Sequence, residues 1–114
     1  LVQASINVAG QNGYSNTIRL VRGSTPICVA TDAQSSQMAG TGFFRGNSDV
    51  ETRPQSIVFL DTSSGGDGST AITYKIQWDG ENGGLMVLNK HYSDANTYPQ
   101  ARLASTIVLM EVAG

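Results

Sequence analysis

Cysteine and histidine each occur only once in this chain of 114 residues, as Cys28 and His91. A lone cysteine excludes an intramolecular disulfide and a cysteine-rich zinc knuckle within the sequence. Its neighbours Ile27 and Val29 predict a small, buried, apolar side chain. A free thiol also suits assembly in a reducing cytoplasm.

Charge and long apolar runs are scarce as well. Charged residues make up 14% of the chain, the net charge is −2, and no block of basic residues occurs. The electrostatic footprint of a nucleic-acid-binding protein is therefore missing, and we expect no nucleic-acid partner. No apolar run approaches the roughly 18 residues that a membrane-spanning helix needs, so we expect no membrane insertion.

The sequence contains no nucleophile elbow, no Walker loop and no dinucleotide-binding glycine motif. Asp79 and Glu81 are close in sequence, as a glycosidase pair could be, but their place on a hairpin tip favours solvated turn acids. His91 and Asp94 could supply two metal ligands, tripled by a threefold axis, yet a single loop histidine is usually just a polar residue. We therefore expect no enzyme, no catalytic residue, no metal site and no cofactor.

Turn residues instead divide the chain into about eight short segments with strand-like patterns, and no helical period persists across them. The segments are residues 5–9, 14–22, 25–30, 41–45, 55–61, 69–79, 85–90 and 104–112. Residues 62–69, rich in glycine and serine, predict a flexible surface connection. The sequence predicts one domain over residues 1–114, an all-β antiparallel sandwich of jelly-roll type with about eight strands.

The final segment, residues 104–112, is apolar on both faces and rich in β-branched side chains. This pattern predicts a central strand covered on both faces, although a buried helix could carry the same run. On this interpretation Val108→Asp would bury an unpaired carboxylate and unfold the domain.

Residues 57–60, 85–88 and 107–110 are likewise apolar on both faces. A two-layer sandwich has only one interior, so these segments predict apolar surface that something else must cover. We expect the cover to be identical chains in a homotrimer.

A polar loop at residues 91–100 holds the candidate receptor- or glycan-binding residues, Tyr92, Asp94, Asn96 and Tyr98. Aromatic faces stack on sugars, and neutral or acidic side chains hydrogen-bond sugar hydroxyls. The alternative is that Tyr92 and Tyr98 pack the loop onto the sandwich. Trp78 ends an apolar face and is expected in the core or in an intersubunit contact.

The last third of the chain resembles a known group of proteins. Residues 70–78 read T-A-I-T-Y-K-I-Q-W, residues 88–90 read L-N-K, and residues 104–112 read A-S-T-I-V-L-M-E-V. This series is similar to the C-terminal end of phage virion structural proteins, the tail- or head-fibre tips of phages that infect marine cyanobacteria and other marine bacteria. Residues 73–77 and 105–112 carry the match, and these motifs are structural and not catalytic.

The resemblance implies a jelly-roll-like sandwich that trimerises at the end of a fibre, as the C-terminal head of a longer chain. It implies a virion location after assembly in the host cytoplasm, with other virion proteins and a host surface glycan or protein as partners. Two alternatives remain: a trimerisation or capsid-decoration domain that binds no receptor, and a lectin-like carbohydrate-binding module.

Overall fold

The fold consists of two antiparallel four-stranded sheets packed face to face, in a computed structural model that describes residues 1–62, 69–98 and 100–112. The strands are β1 (Val2–Gly10), β2 (Ser15–Arg22), β3 (Thr25–Ile27), β4 (Gly42–Arg45), β5 (Arg53–Phe59), β6 (Tyr74–Gly80), β7 (Met86–Leu88) and β8 (Thr106–Leu109). The described residues contain no helix beyond a single 3-10 turn at Glu81–Gly83. The predicted all-β antiparallel sandwich is confirmed. The predicted connection at residues 62–69 falls mostly on residues 63–68, outside the described part.

Each sheet is built around one long strand. In the first sheet, β5 pairs with one edge of β1, while β8 and β7 pair with the other edge, one after the other along its length. The second sheet repeats this plan around β2, with β6 on one edge and β4 and β3 in line on the other. Consecutive strands β1 and β2 are therefore the two centres of the fold.

Period-two alternation explains why β1 and β2 hold these positions. Val2, Ala4, Ile6 and Val8 point from β1 into the core, while the intervening residues of β1 point outwards through Asn7. On β2, Ile18 and Leu20 are buried, as their alternation with Thr17 and Arg19 predicts. The core cluster is Val2, Ala4, Ile6, Val8, Ile18, Leu20, Phe44 and Ile57.

Cys28 lies at the edge of this core. It is half-buried and packs against the core cluster, with a left-handed backbone φ of 55°. The predicted apolar role fits these contacts, but the side chain is less enclosed than its two apolar neighbours in sequence indicate.

The last strand is not central, and that prediction is wrong. β8 spans only Thr106–Leu109 and pairs with β1 alone. Its four residues are all exposed, and 47% of Val108 is accessible to solvent. A strand at the edge of a sheet has a paired neighbour on one side only. In addition, neither face of β8 is covered, since residues that point to both faces are exposed.

Candidate functional site

The candidate binding loop leaves the first sheet between β7 and β8 and closes on a polar neck formed by Asn7, Asn89 and Ser105. The Asn89 N–H donates to the Asn7 carbonyl at 2.9 Å, and the Asn7 N–H donates to Ser105 Oγ at 2.9 Å. The Ser105 hydroxyl in turn donates to Asn89 Oδ1. Asn89 has a φ of 62°, which asparagine tolerates better than most residues. The neck holds the ends of the loop together, as in an Ω-loop.

Asp94 lies at the centre of the ion pairs in the loop. Lys90 Nζ donates to its Oδ2 at 2.7 Å, and Arg102 Nη2 lies 2.6 Å from its Oδ1. The hydrogen bond from Lys90 lowers the pKa of Asp94, and the nearby Arg102 charge lowers it further. Both carboxylate oxygens thus contact cations of the loop itself. Asp94 is therefore a clamp that joins Lys90 near one end of the loop to Arg102 near the other.

Gln100 forms a second set of bonds inside the loop. Its Oε1 accepts from the Ala95 N–H at 2.6 Å, and its Nε2 donates to Ser93 Oγ at 2.7 Å. The Ser93 N–H reaches out of the loop to the Asp49 carbonyl at 3.0 Å. These bonds hold the loop backbone in place.

The four predicted site residues do not share one surface. Asp94 and Asn96 line a small cavity of about 170 Å³, whereas Tyr92 is half-buried and is not part of its lining. Tyr98 is 99% exposed, so its ring does not pack on the sandwich. The packing alternative therefore fails for Tyr98, which stands free to contact a partner.

Three further polar side chains line the same cavity, His91, Gln100 and Arg102, together with Ala95 and Ala101. His91 is only 8% exposed, and its Nδ1 has no hydrogen-bond partner within the described ranges. Buried polar atoms are nearly always paired, so this nitrogen is unusual. Sequence reasoning missed Arg102 because no motif links it to Asp94; only the folded loop brings the two together.

An apolar opening, here called the seam, lies between strand β6 of the second sheet and the edge that β7 and β8 form in the first. A cleft of about 240 Å³ occupies it, lined mainly by Ile6, Ile76, Trp78, Met86, Leu88 and Ile107. A neighbouring hollow of about 380 Å³ extends the opening past Leu109 to Val112. Trp78 and Ile107 are exposed there, although their strand positions face inwards.

A second apolar surface, here called the outer patch, lies on the outward face of the first sheet. It consists of Val58, Leu60, Val108 and Met110, all exposed, and it meets the seam at Leu60 and Met110, which also line the hollow. Val58 and Val108 flank Gln3 in the pairing register, which places them on the same face. Two hydrogen bonds between Leu1 and Met110 continue this ladder by one residue pair.

The remaining candidates for chemistry are separate from one another. Glu81 Oε2 accepts from the Ser15 N–H at 3.2 Å, and hydrogen bonding to Ser15 lowers the pKa of Glu81. Asp79 lies on the outward face of the second sheet, opposite Thr17. Within the described ranges no three potential metal-ligating side chains come together, and no helix is long and apolar enough to cross a membrane.

No family model, curated protein or solved structure matches this chain.

Proposed function

We propose that this domain is the trimeric head of a virion fibre and that it adheres to the host cell surface without enzymatic activity. The resemblance of residues 73–77 and 105–112 to phage fibre tips supports the virion context. The observation that carries the proposal is the pair of apolar surfaces, seam and outer patch, on the two faces of β8.

Strand β8 supplies both surfaces through its alternation. Ile107 and Leu109 contribute to the seam, and Val108 contributes to the outer patch. Met110 belongs to the outer patch and also lines the hollow that extends the seam. Soluble monomers rarely expose apolar patches of more than a few hundred Å². Two exposed apolar surfaces at one edge of a small domain support burial against other chains.

The fact that the two surfaces differ supports a ring of identical chains. A twofold dimer needs one self-complementary surface, whereas a ring of three or more chains joins two different surfaces of each chain to those of its neighbours. If the outer patch of one chain fills the seam of the next, every copy buries both surfaces. The resemblance supplies the number of chains, three.

The loop closed by the neck supplies the adhesive surface. Its internal hydrogen bonds hold the backbone in place, and Tyr98 projects fully into solvent. Rigid loops that present an exposed aromatic side chain bind with little loss of conformational entropy.

Light scattering coupled to gel filtration tests the assembly. The single chain has a mass of 12.0 kDa, so three chains should give about 36 kDa across a wide concentration range. Val108→Asp should give a folded protein of single-chain mass. Val50 is as exposed as Val108 but lies outside both surfaces, so Val50→Asp should leave the trimer intact. A wild-type mass of one chain, or a stable dimer, would contradict the proposal.

Adhesion is tested separately, with the fluorescently labelled trimer and a panel of marine bacteria that includes cyanobacteria. Binding to some strains, and its loss in Tyr98→Ala, is the expected result.

The internal pairing of Asp94 and Gln100 favours one second function, a structural capstone that contacts no receptor. A stable trimer that binds no cell of the panel would select that function.

A further inference from the structure

The loop around the cavity carries a net positive charge in a chain that is negative overall. Residues 89–105 contain two permanent cations, Lys90 and Arg102, and a single anion, Asp94, whereas the whole chain carries −2. Two cations and one anion leave this loop with a net charge of +1. The local charge therefore favours an anionic ligand.

Arg102 is held in place for such a ligand. Its Nη2 contacts Asp94 at 2.6 Å, while its side chain remains 71% exposed at the cavity. A guanidinium carries five N–H donors in a planar fork, so the bond to Asp94 fixes its orientation and leaves other donors for a second oxyanion.

His91 also lines the cavity. Its Nδ1 is buried, has no partner in the described part of the chain, and can serve as an N–H donor in one tautomer or in the charged form. Burying such an atom without a partner costs about 1–3 kcal/mol. A ligand oxygen that reached this nitrogen, after a small turn of the imidazole ring, would remove that cost.

The two amide side chains of the cavity, Gln100 and Asn96, have different roles. Both polar atoms of Gln100 are bonded within the loop, so Gln100 shapes the cavity. Asn96 is exposed at the rim and can contact a hydroxyl next to the anionic group. A cavity of about 170 Å³ accommodates one such group and not a whole oligosaccharide.

We propose that the cavity binds one oxyanion group of an anionic receptor, with Arg102 and His91 as its donors and Asn96 contacting a neighbouring hydroxyl. The group is a carboxylate of an acidic saccharide or a phosphate, because both present oxygen acceptors to the same donors. This inference rests on the proposed adhesive function for its biological role. The binding itself is measured independently of cells.

Backbone amide NMR of the assembled wild-type domain tests the proposal with three probes: sodium glucuronate, glucose and sodium phosphate. Glucuronate should shift the signals of His91, Asn96 and Arg102, and glucose, its neutral counterpart, should bind at least about tenfold more weakly. Phosphate competition distinguishes the sources. Tighter binding of glucuronate assigns an acidic saccharide, and tighter binding of phosphate assigns a phosphate-bearing receptor. Equal shifts with glucose and glucuronate, or no shift with either anion, would overturn the proposal.

Two variants with the same charge change provide the control. Arg102→Gln should weaken glucuronate binding about tenfold or more, since it removes a charge-assisted bond. Arg45→Gln, at an exposed position in the second sheet, should bind as the wild type does. His91→Gln retains a side-chain donor and should weaken binding less than His91→Leu.

The failures of the two proposals can be told apart on the same preparations. A trimer that binds cells but no anion overturns only the oxyanion site. A single-chain protein whose loop signals still shift with glucuronate overturns only the fibre head. Unchanged anion affinity in Arg102→Gln, with dispersed signals that show a folded protein, would also reject the oxyanion site.

Discussion

At the scale of single residues, stability depends on whether a leucine lies between the sheets or outside them. Leu20 on β2 is fully buried in the core cluster, whereas 60% of Leu85 is exposed. Leu20→Ala leaves a cavity that the sandwich cannot fill, so it should lower the free energy of unfolding by about 2–5 kcal/mol. Leu85→Ala should lower it by less than about 1 kcal/mol. Urea denaturation measures both, and equal losses would contradict the position of β2.

Asp94 provides a test by pH. The hydrogen bond from Lys90 lowers its pKa, so the charged carboxylate stabilises the fold fully above its ordinary pKa of about 3.9. That contribution is lost as the pH falls through the lowered value in the folded state. Asp94→Asn should therefore be less stable than wild type near pH 6, and the difference should shrink near pH 2.5. Asp79→Asn is the control, and a difference that is the same at both pH values would contradict the clamp.

The sequence predicts which strand residues face the core, but it does not predict the contacts within the loop. The inward positions of Ile18 and Leu20 follow from alternation, because strand side chains point to opposite faces in turn. The clamp of Lys90 and Arg102 on Asp94 depends on how the loop folds back on itself. No periodic pattern in the sequence predicts how the loop folds back, so the cavity and the buried Nδ1 of His91 are seen only in the structure.

At the scale of elements, the contrast between β1 and β8 predicts opposite effects from the same substitution. Ile6→Asp places an unpaired carboxylate in the core and should prevent folding, at a cost of several kcal/mol. Val108→Asp should leave a folded chain, because the new carboxylate faces water in the unassembled single chain. Circular dichroism and thermal melting distinguish the two variants. Loss of the fold in Val108→Asp would restore a central position for β8.

Turn residues and apolar patterns locate all eight strands in the sequence, but they do not show that β8 is an edge strand. A central strand that is buried on both faces is apolar throughout. An edge strand whose faces are covered by other chains has the same apolar pattern. The signal for the true centre is the regular alternation from Val2 to Val8, of which the predicted strand covers only residues 5–9. Pairing partners decide which strand is central, and these are set at long range.

At the scale of the whole molecule, the ring predicts that two defective chains restore one contact. Leu109→Asp should damage the seam, and Val58→Asp should damage the outer patch, so each variant alone should have the single-chain mass of 12.0 kDa. In a mixture, the intact seam of one variant meets the intact patch of the other. An equimolar complex of two chains, about 24 kDa, is therefore expected in light scattering.

A contact between like surfaces gives a different result. If seams paired with seams, Val58→Asp would still dimerise by itself, and mixing would not rescue Leu109→Asp. A mixture that stays at the single-chain mass would reject the assembly of seam with outer patch.

The polar neck has a consequence for how such a domain can change over generations. Because Asn7, Asn89 and Ser105 join the two ends of the loop, β7 and β8 keep their places on β1 whatever lies between them. Residues 90–103 can then be exchanged as a cassette, in length and in sequence, while the pairing of the first sheet is preserved. The fold thus separates the part that must be inherited unchanged from the part that can diversify, as a display scaffold does.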